Sequence, residues 1–311
     1  MRIVFMGSPA FALPSLKRLA QSRHSVVLVV TQPDRPRGRG RRVGAPPVKE
    51  AAESSGIPVM QPEDPNAEEV RGRIEEANAD LGVVVAYGQF LKRALRSLFP
   101  YGCINVHPSL LPKFRGADPI RWAIYAGEKE TGVTTIFVSD KMDAGDIILQ
   151  RTVRIAEFET FGELSERLAA VGSEVLLETV DAIERNEATR TAQDYEDATY
   201  APKFKPEERR IDWSDAGTAV INRVRAFAPD PGADAEFRGR GLKVLRARVL
   251  GGGAGETGPG TVIEVGKDGT LVVATGQGNV AIEEVQPAGR RPMSMLDFIN
   301  GYHPRVGERF G

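Results

Sequence analysis

The sequence predicts an α/β protein with a Rossmann-like, doubly wound and mostly parallel sheet, followed by a small C-terminal β-barrel. Short apolar, β-branched segments alternate with helical patterns through the first half of the chain, which is typical of a parallel sheet. The C-terminal third instead contains short strands separated by glycine-rich turns, which is an all-β pattern. The length of 311 residues is sufficient for two domains.

Apolar periodicity locates the elements of the first half. Residues 2–6 form a predicted buried strand, and apolar residues at helical spacing follow it after Gly7. Further strands are predicted at 25–31, 57–62, 80–86, 103–107, 133–138 and 147–155, and helices at 47–55, 66–78 and 161–185. The last two strands are predicted to form a hairpin. Ligands of such sheets lie beyond the carboxyl ends of the strands, so we expect a site near residues 84–89, 105–112 and 140–146.

The sequence changes character after the long predicted helix. Residues 187–212 are polar and connector-like, a helix is predicted at about 214–227, and the short strands follow it. This pattern is typical of a small barrel. We therefore expect a first domain over residues 1–189, a connector over 190–207 and a C-terminal barrel domain over 208–311.

Composition excludes several classes of protein. The chain has a net charge of −1, one cysteine and three widely separated histidines, so we expect neither a disulfide nor a metal site. It has no apolar run of about 18 residues, so no transmembrane helix is expected. The opening GSPAFA lacks the glycine spacing of dinucleotide-binding proteins, so no nucleotide cofactor is expected. The single cysteine fits a reducing cytosol, and we expect a cytoplasmic monomer that does not bind membranes.

A strand end and a following loop carry the residues with the clearest chemistry. Asn105 and His107 are two positions apart on a predicted strand, and such side chains share a face. Asp143 follows in a glycine-bounded loop. Each alone has a structural explanation as a strand-end or turn residue. Together they supply an amide donor, an imidazole and a carboxylate, which can stabilise an oxyanion and transfer a proton.

Two residues with reactive side chains have simpler explanations. Cys103 lies in an apolar strand, so we expect an inert core residue rather than a nucleophile. His24 directly precedes a strand, and we expect it to lie in a surface turn without a partner.

A basic loop separates the second strand from the next helix. Arginines alternate with glycine and proline here, and the cations are Arg35, Arg37, Arg39, Arg41, Arg42 and Lys49. One explanation is a solvated loop without a binding role. Because arginine pairs with phosphates and stacks on bases, we favour contact with nucleic acid.

Two segments, INVHPSLLP and DKMDAGDI, resemble those of folate-dependent formyltransferases. The resemblance runs nearly end to end, and the segments MRIVFMGSPAFALPSL, TQPDRPRGRGRR, RGADPIRWAI and RIDWS are similar to those of family members that act on tRNA. It implies a formyl-binding Rossmann-like domain and a C-terminal barrel resembling an OB fold. The implied reaction transfers a formyl group from the co-substrate 10-formyltetrahydrofolate to the α-amino group of methionyl initiator tRNA.

The resemblance also implies roles for individual residues. Asn105, His107 and Asp143 match the catalytic residues of the family. The residues expected to bind the folate are Val84 and Ala86 at a strand end and the turn Ser109, Leu110, Leu111 and Pro112.

Contacts with tRNA are expected in three places. Arg39 matches an arginine that enters the end of the acceptor stem. The full set of expected tRNA-binding residues is Arg37, Arg39, Arg41, Arg42, Lys203, Lys205, Arg209, Arg290 and Arg291.

Three other functions are compatible with parts of this pattern. A formyltransferase acting on a sugar nucleotide or on glycinamide ribonucleotide would use the same catalytic residues, but would not need the basic loop. A hydrolase that releases formate from the folate would need no RNA, so its activity would be insensitive to salt. A non-catalytic RNA-binding protein would have no use for the intact catalytic set.

Overall fold

The chain folds into two compact units. The computed structural model describes residues 1–37, 42–250 and 257–311, and of Arg37 and Arg42 the backbone alone. The N-terminal unit comprises Met1–Pro119, Glu130–Arg154 and Ser165–Ala201. The C-terminal unit comprises Ile120–Lys129, Ile155–Leu164 and Pro202–Gly311.

The described residues form seventeen strands, eight helices and two 3-10 turns. The strands are β1 (Arg2–Gly7), β2 (Ser25–Val30), β3 (Arg35–Arg37), β4 (Arg42–Gly44), β5 (Val59–Met60), β6 (Leu81–Val85), β7 (Cys103–His107), β8 (Arg115–Gly116), β9 (Glu130–Phe137), β10 (Ile147–Arg154), β11 (Tyr200–Ala201), β12 (Ala233–Phe237), β13 (Arg240–Leu250), β14 (Val262–Val265), β15 (Leu271–Ala274), β16 (Asn279–Pro287) and β17 (Met293–Ser294). The helices are α1 (Leu13–Ala20), α2 (Pro47–Ser54), α3 (Glu68–Glu76), α4 (Arg93–Arg96), α5 (Pro119–Tyr125), α6 (Phe161–Glu184), α7 (Gly217–Phe227) and α8 (Met295–Tyr302), with 3-10 turns at Ala10–Ala12 and Pro206–Arg209. None of the helices formed by described residues is long and apolar enough to cross a membrane.

The N-terminal unit is built on a seven-stranded sheet in the order β10-β9-β7-β6-β1-β2-β5. The five strands from β7 to β5 run parallel. The predicted hairpin is formed by β9 and β10, and β9 runs antiparallel to β7. The central strands are apolar and almost completely buried, as in β1, where five of six residues are buried. The predicted Rossmann-like, mostly parallel sheet is therefore confirmed.

Several short elements are absent from the sequence-based prediction. Within the expected basic loop, β3 and β4 form an antiparallel pair in which Arg35 pairs with Gly44 and Arg37 with Arg42. The helices α4 and α5 have four and seven residues, which is too short for a clear apolar period. The helix α8 has eight residues, as many as the predicted α2, and was also missed.

The C-terminal unit contains an antiparallel sheet in the order β12-β13-β16-β15-β14, with β17 paired to β16. The chain segment 307–311 bonds to both edge strands. The backbone N–H of Val262 in β14 donates to the carbonyl of Glu308 at 2.8 Å, and Gly311 exchanges two backbone hydrogen bonds with Glu236 in β12. Backbone hydrogen bonds of segment 307–311 thus cover parts of both edge strands, β12 and β14, and a closed barrel remains a prediction.

Two segments from the first half of the chain belong to the C-terminal unit. The indole of Trp122 in α5 stacks on Phe204, with ring centroids 4.3 Å apart. The guanidinium of Arg225 in α7 donates to the carbonyls of Ala156 and Glu159. The units therefore do not follow sequence order, and the boundaries at residues 189 and 208 remain predictions.

Phe310 anchors the segment 307–311 in the apolar core of the C-terminal sheet. Its side chain is 3% exposed and packs on Trp213 and Phe237. We expect Phe310→Ala to lower the free energy of unfolding by about 3 kcal/mol, because it leaves a cavity among these rings. Denaturant unfolding would measure the difference, with Val306→Ala as the matched control, since Val306 lies in the same region and is 64% exposed. An equal, small effect of both substitutions would contradict the assigned role of Phe310.

Candidate functional site

The carboxyl end of β7 places Asn105 and His107 on one face of the sheet. Asn105 pairs with Val84 of β6, and His107 pairs with Thr134 of β9. His107 is 4% exposed, whereas Asn105 is half-buried. The strand period of two explains the shared direction of the side chains, as the sequence predicts.

Asp143 lies in the loop between β9 and β10. Its backbone is in the left-handed region, with φ of 49°, which is unfavourable for residues other than glycine. Gly145 follows, and a Cβ atom there would lie 1.7 Å from the carbonyl oxygen of Phe137. The loop therefore requires glycine at this position to pass so close to β9.

The three predicted side chains come together around the Asp143 carboxylate. The amide Nδ2 of Asn105 donates to Oδ1 across 3.4 Å. The Nδ1 atom of His107 lies 3.7 Å from Oδ2. The backbone N–H of Gly116 donates to the same Oδ2 at 2.9 Å. The sequence prediction named Asn105, His107 and Asp143, but it did not include Gly116.

A backbone carbonyl determines the orientation of the His107 ring. Nε2 lies 2.9 Å from the carbonyl oxygen of Phe114. A carbonyl only accepts hydrogen bonds, so Nε2 carries a hydrogen and donates it. Nδ1 is then the nitrogen that faces Asp143. When His107 is neutral, two hydrogen-bond acceptors face each other here, and a proton or a donating group between them turns the contact into an attraction.

The segment Phe114–Arg115–Gly116 contacts the site through each of its residues. Phe114 accepts from His107, and Gly116 donates to Asp143. Arg115 is 2% exposed, and its Nε and Nη2 atoms donate to Oε1 of Gln193 at 3.0 and 2.7 Å. The segment is held by β11, because β8 pairs with Tyr200 and Ala201.

Gln193 is a site residue that sequence reasoning missed. It lies in the expected connector, is 7% exposed, and donates from Nε2 to the carbonyl oxygens of Asp143 and Gly145 at 2.9 and 2.7 Å. A single glutamine in a polar segment has no distinguishing spacing, so nothing in the sequence singled it out. Its position becomes apparent only when the connector folds back along the start of β10.

The turn from Ser109 to Pro112 is held by internal hydrogen bonds. The Ser109 hydroxyl donates to the carbonyl of Lys113 at 2.6 Å, and Gln150 donates to the carbonyl of Leu111 at 2.8 Å. Ser109 and Leu111 are buried, whereas Leu110 and Pro112 are half-buried. These hydrogen bonds hold the conformation of the turn, and its contact with a folate remains a prediction.

The end of β6 lies beside this region of the sheet. Val84 is half-buried and Ala86 is exposed, with a left-handed φ of 48°. Ala86 therefore presents backbone at the carboxyl edge, where the sequence predicts the folate.

A cavity of about 550 Å³ borders the Asp143 loop. The charged residues that line it are Arg93, Arg96, Lys141 and Arg190 and the acidic Asp140 and Asp146, so cations outnumber anions there. The side chains of Asn105, His107 and Asp143 do not line it. It is consequently a basic depression next to the predicted catalytic residues, distinct from the space between them.

The predicted RNA-binding residues differ in solvent exposure and in whether an acidic side chain already pairs with them. Arg39 and Arg41 lie outside the described residues, as do the side chains of Arg37 and Arg42. Lys203, Lys205, Arg290 and Arg291 are exposed. Arg209 is half-buried, and its Nε lies 3.3 Å from Asp234, so this guanidinium already has an acidic partner.

The expectation for His24 was wrong. His24 is 4% exposed, and its Nε2 lies 3.0 Å from Asp181. The histidine, Asp181 and Glu184 have ligand atoms close enough to hold a metal ion. Both carboxylates are, however, paired with Arg23 at 2.8 and 2.7 Å, so the group is a salt-bridge network, and we assign no metal to it. The tertiary contact with α6 brings these residues together.

Cys103 is a core residue. It is 3% exposed, and burial raises the pKa of its thiol to about 12 because a buried thiolate loses its hydration. We expect the folded protein to resist alkylation at pH 8, since the thiolate is the reactive form. Thiol titration would measure the reaction, and one thiol should react after denaturation, because the chain has one cysteine. Rapid labelling of the native protein would show that Cys103 is accessible.

Two sequence models for domains of one family match the chain. "Formyl transferase" matches residues 1–180, and "Formyl transferase, C-terminal domain" matches residues 203–303. Gln193 lies between the two matched regions.

Comparison with known proteins gives the same family. Methionyl-tRNA formyltransferase from Acetivibrio thermocellus is 46% identical over 311 residues, covering all of both chains. An N-formyltransferase from Helicobacter canadensis, solved with folinic acid and dTDP-3-aminofucose, is similar in fold, with a TM-score of 0.68 and 17% identity over 92% of this chain and 98% of that chain. HypX from Aquifex aeolicus, solved with tetrahydrofolic acid, gives a TM-score of 0.64 and 21% identity; the match covers 99% of this chain and 48% of HypX. Full-length similarity and both domain matches establish that the chain belongs to the formyl transferase family.

Proposed function

We propose that the protein transfers a formyl group from 10-formyltetrahydrofolate to the α-amino group of methionyl initiator tRNA. The observation that carries this proposal is the 46% identity over the full length to a relative named methionyl-tRNA formyltransferase. The arrangement of Asn105, His107 and Asp143 fits formyl transfer in general and supplies the mechanism. With tRNA as substrate, the enzyme would act in the cytoplasm, as a monomer.

The attacking amine requires little activation. A free α-amino group has a pKa of about 8, so a large fraction is neutral near physiological pH. The demanding step is the formation of a tetrahedral intermediate with a negatively charged oxygen. Hydrogen-bond donors placed around this oxygen lower the barrier, because they stabilise charge that develops only in the transition state.

Asn105 and His107 are positioned to provide these donors. One N–H of the Asn105 amide points to Asp143 across a long 3.4 Å contact, and the second has no hydrogen-bond partner among the described residues. The Nε2–H of His107 is already donated to Phe114. If His107 acts on the substrate oxygen, it does so through Nδ1–H in its protonated form.

Asp143 has two tasks in this mechanism. Its carboxylate stabilises a proton on His107 Nδ1, which lies 3.7 Å away. The same carboxylate accepts the proton that the amine loses after attack, directly or through a water on its open side, because both ring nitrogens of protonated His107 already carry hydrogens. The pair can then deliver a proton to the folate nitrogen that leaves. No metal ion is required by this sequence of steps.

The substrates would approach along the carboxyl edge of the sheet. We assign the folate to the region of Val84, Ala86 and the turn Ser109–Pro112. Flat, amide-like rings can bond to backbone groups, and Ala86 is exposed there. The tRNA would bind through the basic loop and the exposed Lys203, Lys205, Arg290 and Arg291, by pairing with phosphates.

Substitution of the catalytic residues tests the mechanism. We expect Asn105→Ala, His107→Ala and Asp143→Ala each to lower kcat by about 10² or more, because each acts mainly in the transition state. Formylation of charged initiator tRNA, measured with saturating substrates, gives the rates. His303→Ala is the matched control, since His303 is exposed in the C-terminal unit. Near-normal turnover of a folded variant would remove that residue from the mechanism.

Salt dependence tests the basic loop. We expect Arg39→Ala to impair use of charged tRNA without changing folate affinity. Replacing Arg41 and Arg42 together should reduce the dependence of log K on log salt by about 0.7–0.9 per lost phosphate contact. Lys17 and Arg18, both exposed on α1, provide the charge-matched double control.

A loop variant lacking all four arginines, Arg37, Arg39, Arg41 and Arg42, decides between RNA contact and a solvated loop. Unchanged tRNA kinetics over a range of salt would refute the RNA role of this segment. Formate release without tRNA, insensitive to salt, would instead indicate a hydrolase.

A further inference from the structure

The buried pair of Arg115 and Gln193 has a defined orientation. The Nε and Nη2 atoms of Arg115 both donate to Oε1 of Gln193, at 3.0 and 2.7 Å. A guanidinium donates and never accepts, so the oxygen of the amide must face Arg115. The NH2 group therefore faces away from Arg115, and the amide cannot rotate by half a turn without placing donors against donors.

The NH2 group of Gln193 is used completely by the Asp143 loop. It donates to the carbonyls of Asp143 and Gly145, at 2.9 and 2.7 Å. One carbonyl belongs to the left-handed Asp143 itself, and the other belongs to Gly145, two residues later. A backbone in this region persists when surrounding contacts hold it there, and Gln193 supplies two such contacts.

We propose that Gln193 is a positioning residue for formyl transfer, and that it acts through Asp143. Arg115 orients the amide, the amide holds the loop backbone, and the backbone sets the position of the carboxylate beside His107. This inference rests on the proposed function for its kinetic readout. The connector would then contribute to the reaction from a region outside both family-matched segments, residues 1–180 and 203–303.

The position of Arg115 in the chain supports this assignment. Its neighbours Phe114 and Gly116 contact His107 and Asp143 directly. A displacement of Gln193 would therefore affect the loop on one side and the 114–116 segment on the other. A structural role alone would require only that the buried polar groups of Arg115 and Gln193 be satisfied. It would predict a loss of stability with no specific link to Asp143.

Gln193→Glu separates positioning from folding. Glutamate keeps the shape and adds an ion pair with Arg115, so we expect folding to be retained, but it replaces the NH2 group and its two donors by one oxygen that faces two carbonyls. We expect kcat to fall at least about tenfold, with KM for tRNA and folate within about twofold, because two hydrogen bonds to the loop are lost. Gln193→Ala should show the same division between kcat and KM. A normal kcat in folded Gln193→Glu, or a change confined to KM, would overturn the proposal.

A double-mutant cycle tests whether Gln193 acts through Asp143. In an Asp143→Ala background, we expect Gln193→Glu to change kcat less than about twofold, since the carboxylate that it positions is absent. A further loss as large as in the wild type would overturn the proposal, because it would show that Gln193 acts independently of Asp143.

Thr189, four residues before Gln193 and directly before the expected connector, provides a matched control. Its hydroxyl donates to the carbonyl of Ile148 in β10 at 3.1 Å. Thr189→Val removes this bond to β10 but leaves the Asp143 loop untouched. We expect kcat within about twofold of wild type, because Thr189 is exposed and only one hydrogen bond is lost. A loss equal to that of Gln193→Glu would show that any bond between this region and β10 has the same effect, and it would overturn the specific role.

Hydrogen exchange provides a readout that does not need the reaction. The N–H of Gly116 donates to Asp143 Oδ2, so its exchange reports on the position of the carboxylate. We expect faster exchange at Gly116 in Gln193→Glu and no change in Thr189→Val. Equal protection in all three proteins would overturn the proposal. A wild-type protein that fails to formylate tRNA would refute the proposed function, while the exchange result would still decide the role of Gln193.

Discussion

The position of the Asp143 carboxylate is the constraint on which the site depends. Its two oxygens meet the Asn105 amide, the His107 ring and the Gly116 N–H. The residue is held in a left-handed conformation that costs free energy. Gly145 allows the close passage along β9, and the two bonds from Gln193 hold the backbone. Because these contacts fix the polar groups in advance, the groups can stabilise charge in the transition state without first having to move.

The parallel sheet and the antiparallel hairpin have separate roles in this arrangement. The parallel strands end together, so β6 and β7 present Val84, Asn105 and His107 at one edge. The hairpin of β9 and β10 carries Asp143 to the same edge on a loop. Because His107 is paired with Thr134 of β9, strand register sets the spacing between the imidazole and the loop. A slip of one residue would turn Asn105 and His107 to the opposite face.

In the C-terminal unit, some of the cationic side chains already have acidic partners. Arg209, Arg210 and Arg238 lie within 4 Å of acidic side chains, so their charges are partly compensated. Arg290 and Arg291 are exposed after β16, and no ion pair involves either residue among the parts of the chain that are described. Contact with phosphates would therefore use the cations without acidic partners, such as Arg290 and Arg291, rather than a uniformly basic surface.

The sequence by itself determined the parallel sheet, the antiparallel C-terminal sheet and the three side chains of the candidate site, Asn105, His107 and Asp143. These depend on local patterns: apolar runs for buried strands, a spacing of two for Asn105 and His107, and glycines around Asp143. The tertiary structure decided what distant segments contribute. The Gly116 N–H, the carbonyl of Phe114 and the amide of Gln193 lie at the site in the folded chain, where β8 pairs with β11. Likewise, His24 gained acidic partners from α6, and residues 120–129 joined the C-terminal unit. Backbone groups and single polar side chains carry no periodic signal, so their partners exist only once the chain has folded.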